Sequence, residues 1–379
     1  MLRWGVLYLG FVLECAAVAP PIIDISSLYT LGNSAAQVNC VEEIDSALKE
    51  FGVFIAIGHT IGQHLITDAI TAGNELFSLP LSNKLDVSVD TVGGIGRGYL
   101  PFGRETGVAS YFEPKEGFSY GYDFQSADGA QHPLQRPNVW PNGITDETEA
   151  SLEQVFGAEV SVALSILSAL SAKNRELVLQ DPVNYSIIDY EGAAAGGDTI
   201  SIMRLFHYLP ESSASERDDH QSSLPAIGSS PHTDWGYLTL IVHDGVRGLQ
   251  FFHDGVWNDV PVVADGIVVN GGDFLSLLSR GRYQSPIHRV LCPPESSRRL
   301  SFVLFFYPGY NTSIPKSSGD ILSTNDQGNG KAFGIGNSFQ FNTLLVVDSE
   351  GGSSGSSAAI GRESNFGDYI MKKWLGVLA

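Results

Sequence analysis

The segment from Ser201 to Tyr307 restricts the possible folds of this chain more than any other part. Its apolar residues form short runs that are separated by turn-forming residues. The runs are Ser201–Tyr208, Tyr237–Val242, Gly248–Phe252, Val256–Trp257, Ile267–Asn270, Ser285–Leu291 and Leu300–Tyr307. Short strands joined by tight turns are typical of a β-sandwich or barrel, and His253-Asp254-Gly255 predicts a hairpin turn.

The last of these runs begins beside an arginine. In RLSFVLFFY, which starts at Arg299, nearly all residues on both alternating faces are apolar, and this is typical of a strand covered on both sides. Arg299 needs an anionic partner there, because an unpaired buried charge is costly. Ser301 shares its face, and a guanidinium with a hydroxyl suits a carboxylate held at two points. An internal salt bridge is the alternative.

Two histidines and one aspartate form a candidate metal site. His232 and Asp234 lie in PHTDWGY, and His288 lies in SPIHRV. Two imidazoles and a carboxylate suit one face of an octahedral iron(II) ion and leave the opposite face open. On one strand, His232 and Asp234 would point to the same side. His288 would then come from a strand folded back beside the first. Alone, an H-x-D pair more often marks a turn hydrogen bond.

Several further motifs occur in an order that resembles one known family. They are Pro21–Asp24, Phe51–Phe54 with Gly58-His59, Leu79-Pro80, Arg97–Tyr99, Glu113–Glu116, Asn138–Pro141 and Gly367–Tyr369. With the H-x-D…H and R-x-S motifs, the chain resembles the Fe(II)/2-oxoglutarate-dependent oxygenases of the isopenicillin N synthase-like group. The resemblance implies a mainly β fold with flanking helices and a double-stranded β-helix (jelly roll) core.

The resemblance also implies a set of site residues and a reaction. His232, Asp234 and His288 would hold Fe(II), and Arg299 and Ser301 would bind the distal carboxylate of 2-oxoglutarate. Tyr208 would assist, although the asparagine of the N-Y-Y-P motif common in plant members is missing here. The implied oxidoreductase couples decarboxylation of 2-oxoglutarate, with O2, to oxidation of a small organic molecule in secondary-metabolite biosynthesis. The sequence does not distinguish hydroxylation from desaturation or ring rearrangement.

The substrate itself cannot be read from the sequence. Val303 and Phe305, on the face of Arg299, predict an apolar wall near the iron. Further candidates for this wall are Tyr111, Phe112, Tyr120 and Phe206.

Three other functions use the same residues. In a 2-oxoglutarate-independent iron oxidase of this family, Arg299 and Ser301 would bind the substrate's own carboxylate. A zinc hydrolase could use the same three ligands, and metal analysis would identify it. A non-catalytic jelly-roll binding protein has no need of an open iron face.

The chain divides into four predicted regions. Residues 1–19 form an apolar leader, 20–200 a mixed helix and strand region, and 201–310 the iron and 2-oxoglutarate core. Residues 311–379 carry a Gly/Ser insertion at 349–357 and a closing helix. Helical spacing of apolar residues predicts helices near Val38–Phe51, Leu65–Phe77 and Glu147–Ala172.

Charge and leader composition limit the partners and the compartment. The net charge of −20 argues against nucleic acid or an anionic membrane as partner. The expected partner is therefore a small-molecule substrate, and the sequence gives no oligomeric state. Residues 1–19 resemble a secretory signal, but Glu14 interrupts the apolar stretch, which is too short to span a bilayer. We expect a cytoplasmic protein with free thiols at Cys15, Cys40 and Cys292.

Overall fold

Two facing β-sheets with helices outside form the protein. The computed structural model describes residues 18–30, 32, 34–91, 96–105, 107–108, 110–124, 132–173, 199–216, 223–314 and 365–378. The strands are β1 (Ile22–Asp24), β2 (Val53–Ile57), β3 (Gly98–Leu100), β4 (Lys115–Gly121), β5 (Ile202–Tyr208), β6 (Ser229–His232), β7 (Leu238–His243), β8 (Leu249–His253), β9 (Val256–Asp259), β10 (Ile267–Gly271), β11 (His288–Val290) and β12 (Arg299–Phe306). The helices are α1 (Ala35–Glu50), α2 (Gln63–Ser78), α3 (Leu81–Leu85), α4 (Asp146–Lys173), α5 (Asp273–Leu278) and α6 (Phe366–Leu378).

Two predicted segments cannot be compared with the structure. The leader at 1–19, apart from its last two residues, and the insertion at 349–357 lie outside the described residues. The predicted closing helix is present as α6. The mainly β architecture with flanking helices agrees with the expected fold class.

The larger sheet has eight strands in the order β1-β2-β10-β7-β12-β5-β4-β3. β1 pairs with β2 in parallel, and every other pair in the sheet is antiparallel. β12 lies between β5 and β7 and pairs with both along its length. The run that starts at Arg299 is therefore an interior strand, which explains why it has no polar face.

The two faces of β12 meet different neighbours. Leu300, Phe302 and Leu304 belong to the main core, which also contains apolar residues of α1, α2 and α4. Val303 on the opposite face packs in a second core with residues of the smaller sheet. Arg299 and Ser301 share the face of Val303 and are thus directed between the two sheets.

Tyr120 lies on the helical side of the larger sheet. Its hydroxyl donates to the carbonyl of Leu152 at 2.8 Å, and its ring packs against Trp140 and Phe156. The prediction that Tyr120 contributes to the wall near the iron is therefore wrong, because adjacent residues of β4 alternate between the faces of the sheet.

The smaller sheet has four strands in the order β6-β11-β8-β9. The predicted hairpin turn joins β8 to β9, with φ of 48° at Asp254 and 83° at Gly255. Two successive left-handed residues match the twist of a tight hairpin, and aspartate followed by glycine is the usual sequence for it. β6 pairs with β11, and His232 lies opposite His288.

The predicted helices are all present. The side chain of Ser34 accepts a hydrogen bond from the N–H of Gln37 and caps α1. Gly52, with φ of 72°, follows the end of α1 and donates to the carbonyl of Ala47. Within the described chain, α4 alone is long and apolar enough to span a membrane, but 50% of its apolar window is buried inside the protein. Much of α4 therefore belongs to the core.

Glu159 on α4 is a buried carboxyl group whose two oxygens have no hydrogen-bond partner among the described residues. Burial raises its pKa well above the ordinary value of 4.5. The folded state therefore keeps a proton that the unfolded state releases. This contribution to stability is full below pH 4.5 and declines as pH rises towards the folded-state pKa.

We expect Glu159→Gln to remove this decline. Relative to the parent, the free energy of unfolding of the variant should rise by about 1.4 kcal/mol per pH unit between pH 4.5 and the folded-state pKa. Urea unfolding at pH 5, 6, 7 and 8 measures the difference. Glu147→Gln, at an exposed position of the same helix, is the matched control. Equal pH profiles for the two variants would contradict the assignment.

Candidate metal centre and co-substrate pocket

His232, Asp234 and His288 meet between the two sheets. One ligand atom from each lies within 4.8 Å of the others, and no other cluster of this kind occurs in the described part of the chain. Nε2 of His288 is 3.5 Å from Oδ2 of Asp234, and Nε2 of His232 is 4.0 Å from Oδ1. The two imidazole centroids are 4.2 Å apart. These three predicted residues can therefore address one ion.

Backbone carbonyls orient both imidazoles. Nδ1 of His232 donates to the carbonyl of Ser230 at 2.7 Å, and Nδ1 of His288 donates to that of Pro286 at 3.0 Å. A carbonyl only accepts, so Nδ1 carries the hydrogen in each ring and Nε2 faces the carboxylate. Burial, and then His288, lower the pKa of His232 to about 4. Both the tautomer and the neutral form are those that a metal ligand needs.

Asp234 reaches the cluster from a position that differs from the prediction. β6 ends at His232, so Asp234 lies in the turn after the strand and not on it. Its carbonyl accepts from the N–H of Asp273, and its Oδ2 is 3.5 Å from the amide nitrogen of Asn270. The turn residues between β6 and β7 thus place the carboxylate, and strand alternation does not.

Arg299 and Ser301 form a buried pair in which one guanidinium nitrogen and the hydroxyl have no hydrogen-bond partner among the described residues. Nε of Arg299 donates to the carbonyl of Val246 at 3.2 Å. Nη1 of Arg299 and Oγ of Ser301 have no hydrogen-bond partner among the described residues, although the two side chains are at most 1% exposed. Native proteins rarely leave such groups unsatisfied. A carboxylate would accept from both, so these residues fit the distal end of a diacid.

Tyr208 lies beside this pair. It is opposite Arg299 in the β12–β5 register, and the guanidinium carbon is 5.1 Å from the ring centroid. Phe206, Tyr208 and Val303 pack in the same cluster between the sheets, and Phe305 packs against it. The structure therefore groups Arg299, Ser301 and Tyr208 on the face of the larger sheet that is directed towards the smaller sheet, which carries His232 and His288.

Sequence reasoning missed a charged cluster next to the triad. Lys115 pairs with Glu113 at 2.5 Å and with Glu105 at 3.5 Å, and Arg204 pairs with Glu105 at 2.6 Å. The guanidinium of Arg204 also lies 4.9 Å from the ring centroid of Trp374 on α6. Glu113 and Lys115 lie in the motif Glu113–Glu116, but their contacts with Glu105 and Arg204 join separate segments and therefore had no local signal.

Asp273 was also missed. Thr233 donates to its Oδ2 at 3.2 Å, which links the start of α5 to the turn that carries Asp234. Burial raises the pKa of Asp273 to about 7, and Asp234 adds to this effect. Asp273 therefore belongs to the surroundings of the metal cluster.

Two family models match the chain. Residues 20–143 match the amino-terminal domain described for the non-haem dioxygenase in morphine synthesis, and residues 199–308 match the 2-oxoglutarate–Fe(II) oxygenase superfamily. The second match contains all six predicted site residues.

Similar proteins include fungal oxidoreductases. The 2-oxoglutarate–Fe(II) type oxidoreductase hxnY of Emericella nidulans is 30% identical over 82% of this chain and 86% of its own length. Clavatol oxidase of Penicillium crustosum is 31% identical over 79% of this chain and 89% of its own.

The fold is similar to that of solved oxygenases. A full-length Neurospora crassa protein, solved in complex with alpha-KG and thymine, aligns with a TM-score of 0.65 at 20% identity and covers 96% of this chain and 98% of its own. A 2-oxoglutarate–Fe(II) oxygenase family protein from Caulobacter crescentus aligns with a TM-score of 0.60 at 22% identity, over 80% of this chain and 90% of its own.

Proposed function

The chain belongs to the 2-oxoglutarate–Fe(II) oxygenase superfamily, and from this membership we propose that His232, Asp234 and His288 hold its iron. We propose further that Arg299, Ser301 and Tyr208 hold 2-oxoglutarate. The predicted family and the jelly-roll fold class are confirmed. The protein is a 2-oxoglutarate-dependent dioxygenase with Fe(II) as cofactor and with 2-oxoglutarate and O2 as co-substrates.

The observation that carries the residue assignment is the pair of unsatisfied buried donors. Nη1 of Arg299 and Oγ of Ser301 lie on the inner face of β12, between the sheets where the triad lies. A diacid that reaches from the iron to β12 would satisfy both donors and compensate the buried positive charge. The co-substrate 2-oxoglutarate is such a diacid.

Bound iron and 2-oxoglutarate supply the activation of O2, in which 2-oxoglutarate is converted to succinate and carbon dioxide and a substrate C–H bond is oxidised. The protein's own residues position the iron and exclude water. The carbonyls of Ser230 and Pro286 keep Nε2 of both histidines directed at the ion, and Asp234 contributes the one negative charge. Val303, Phe206 and Phe305 exclude water beside the site.

The substrate is a small organic molecule, as in the fungal biosynthetic relatives. The four regions with boundaries at 19, 200 and 310 and the cytoplasmic location stay predictions.

Anaerobic titration tests the co-substrate assignment. Adding Fe(II) and then 2-oxoglutarate to the metal-free protein should produce the weak visible charge-transfer band of the chelate. With O2 and a panel of small organic molecules, succinate formed should equal O2 consumed, and mass spectrometry should detect an oxidised product. O2 consumption without succinate would support a 2-oxoglutarate-independent oxidase. Turnover that requires zinc and does not depend on O2 would support a hydrolase.

A further inference from the structure

The strand that carries His232 contains an irregularity. In the β6–β11 pairing, His232 lies opposite His288 and Ser229 lies opposite Val290, so the register shifts between the two pairs. β6 spans one residue more than β11 over this interval, which is a β-bulge at Ser230-Pro231. β6 is also the edge of the smaller sheet. An edge bulge leaves backbone groups without a strand partner.

A single carboxylate satisfies the free N–H of this bulge. Oε1 of Glu113 accepts from the N–H of Ser230 at 2.8 Å and from the N–H of Gly107 at 3.1 Å. Oε2 accepts from Nζ of Lys115 at 2.5 Å. Glu113 is 1% exposed, so these three bonds form without competition from water and are charge-assisted.

The same residue of the bulge orients the iron ligand. The N–H of Ser230 binds Glu113, and the carbonyl of Ser230 accepts from Nδ1 of His232 at 2.7 Å. A shift of Ser230 would therefore move the carbonyl that fixes the ring and tautomer of His232. Glu113 is thus connected to the proposed iron ligand His232 through one residue, Ser230, and two hydrogen bonds.

We propose that Glu113 is a positioning residue for the iron centre and holds the Ser230-Pro231 bulge so that Nε2 of His232 faces the ion. This rests on the proposed function, because it requires a metal at the triad. The Gly107 segment shares the same oxygen, and a Cβ at Gly107 would lie only 2.6 Å from Oγ of Ser230. The loop before β4 thus lies directly on the bulge and is linked to the ligand strand.

Glu105 provides a matched comparison. It is the second carboxylate of the same buried cluster and pairs with Lys115 and Arg204. Among the described residues, no hydrogen bond joins Glu105 to the backbone of β6. Removing Glu105 therefore removes one negative charge from the cluster, as removing Glu113 does. It leaves intact the hydrogen bond from the N–H of Ser230 to Glu113.

Metal affinity tests the proposal without turnover. Co(II) alone is titrated into the metal-free full-length parent, Glu113→Ala and Glu105→Ala, and the dissociation constants and visible ligand-field spectra are compared. Substitutions of residues that orient metal ligands cost about 10- to 100-fold in affinity. We expect a loss in this range and an altered spectrum for Glu113→Ala. Glu105→Ala should remain within about 3-fold of the parent, below the 10-fold lower limit of that range.

The possible outcomes distinguish a failure of the positioning role of Glu113 from a failure of the iron assignment. A parent that binds no Co(II) at the triad would overturn the iron assignment itself. A parent that binds Co(II), with Glu113→Ala folded and unchanged, would overturn the positioning role alone. Equal losses in the two alanine variants would also overturn it, since the cause would then be charge balance.

If Glu113→Ala does not fold, the isosteric pair Glu113→Gln and Glu105→Gln replaces it. A neutral acceptor is about half as strong as a carboxylate, so Glu113→Gln should still weaken Co(II) binding by about 3-fold or more, whereas Glu105→Gln should not. Equal affinities would overturn the proposal.

Discussion

Replacing Asp234 with alanine is expected to reduce 2-oxoglutarate-coupled turnover by at least about 10³-fold, since substitutions one shell further out already cost 10- to 100-fold. Asp234 supplies the only negative charge of the triad, and its two oxygens face the two imidazoles at 3.5 and 4.0 Å. Without it, two neutral histidines remain, and they cannot balance the charge of a divalent ion. Succinate formation and Co(II) affinity should both decrease.

Asp254→Asn is the control for this substitution. Asp254 lies at the exposed tip of the β8–β9 hairpin in a left-handed conformation that asparagine also adopts readily. Activity within about 2-fold of the parent is expected, because surface changes of this kind usually alter energies by at most ~0.5 kcal/mol. Circular dichroism and thermal melting of the metal-free proteins establish that Asp234→Ala is folded. A folded Asp234→Ala variant with full turnover would remove the iron assignment.

The sequence predicted the parts of the site that local patterns encode. Arg299 and Ser301 were placed on one face of a buried strand by the period-two alternation of RLSFVLFFY, and β12 has this arrangement. His232 and His288 were expected on adjacent strands, and they are opposite each other in the β6–β11 register. These predictions needed only strand periodicity and the chemistry of the side chains.

The position of Asp234 could not be predicted in the same way. Strand alternation placed it on β6, but the strand ends at His232, and the turn is held by contacts to Asp273 and Asn270. Those partners lie about forty residues further along the chain. Where a strand ends depends on such tertiary hydrogen bonds, and the sequence of β6 itself contains no signal for them.

Apolar patterning did not indicate two strands that have few apolar residues. β6 consists of Ser-Ser-Pro-His, and β4 begins with Lys115 and Glu116. Both strands are nevertheless buried, because their polar groups bind one another: Glu116 accepts from Lys84 and Tyr99 and is bound to His207, and Glu113 accepts from Lys115. Hydrophobic patterning cannot detect a strand whose burial depends on paired charges.

Both sheets contribute residues to the candidate site. The three proposed ligands come from β6, the following turn and β11, whereas the proposed co-substrate residues come from β5 and β12 of the other sheet. The two sheets are held at a fixed spacing by the apolar cluster between them. A diacid chelated at the iron would therefore reach Arg299 only if that spacing is kept. Changes that alter the packing between the two sheets should therefore weaken the binding of 2-oxoglutarate.

Replacing Arg299 with alanine is expected to raise the KM for 2-oxoglutarate by about 100-fold, which corresponds to roughly 3 kcal/mol for a buried charge-assisted contact. The guanidinium would bind the carboxylate far from the bond that breaks, so its energy is equal in the ground and transition states. Loss of such uniform binding raises KM and leaves kcat at saturation nearly unchanged. Ser301→Ala, which removes one hydroxyl, should cost about 5- to 10-fold, or near 1 kcal/mol.

The adjacent residue supplies the control, because Arg298 is exposed while Arg299 is 1% exposed. Arg298→Ala removes the same charge at the neighbouring position and should leave the KM for 2-oxoglutarate within about 2-fold. Thermal melting gives a measurement independent of turnover: 2-oxoglutarate with Mn(II) should stabilise the parent and Arg298→Ala by RT ln(1 + [L]/Kd), where [L] is the ligand concentration, and at the same concentration should barely stabilise Arg299→Ala. Arg299→Lys retains the charge without the two-pronged fork, and its stabilisation by 2-oxoglutarate should lie between those of Arg298→Ala and Arg299→Ala.

If Arg299→Ala folds and its response to 2-oxoglutarate matches that of Arg298→Ala, then the unsatisfied donors of β12 do not bind the co-substrate. The 2-oxoglutarate assignment of Arg299 and Ser301 then fails even if iron is bound at the triad.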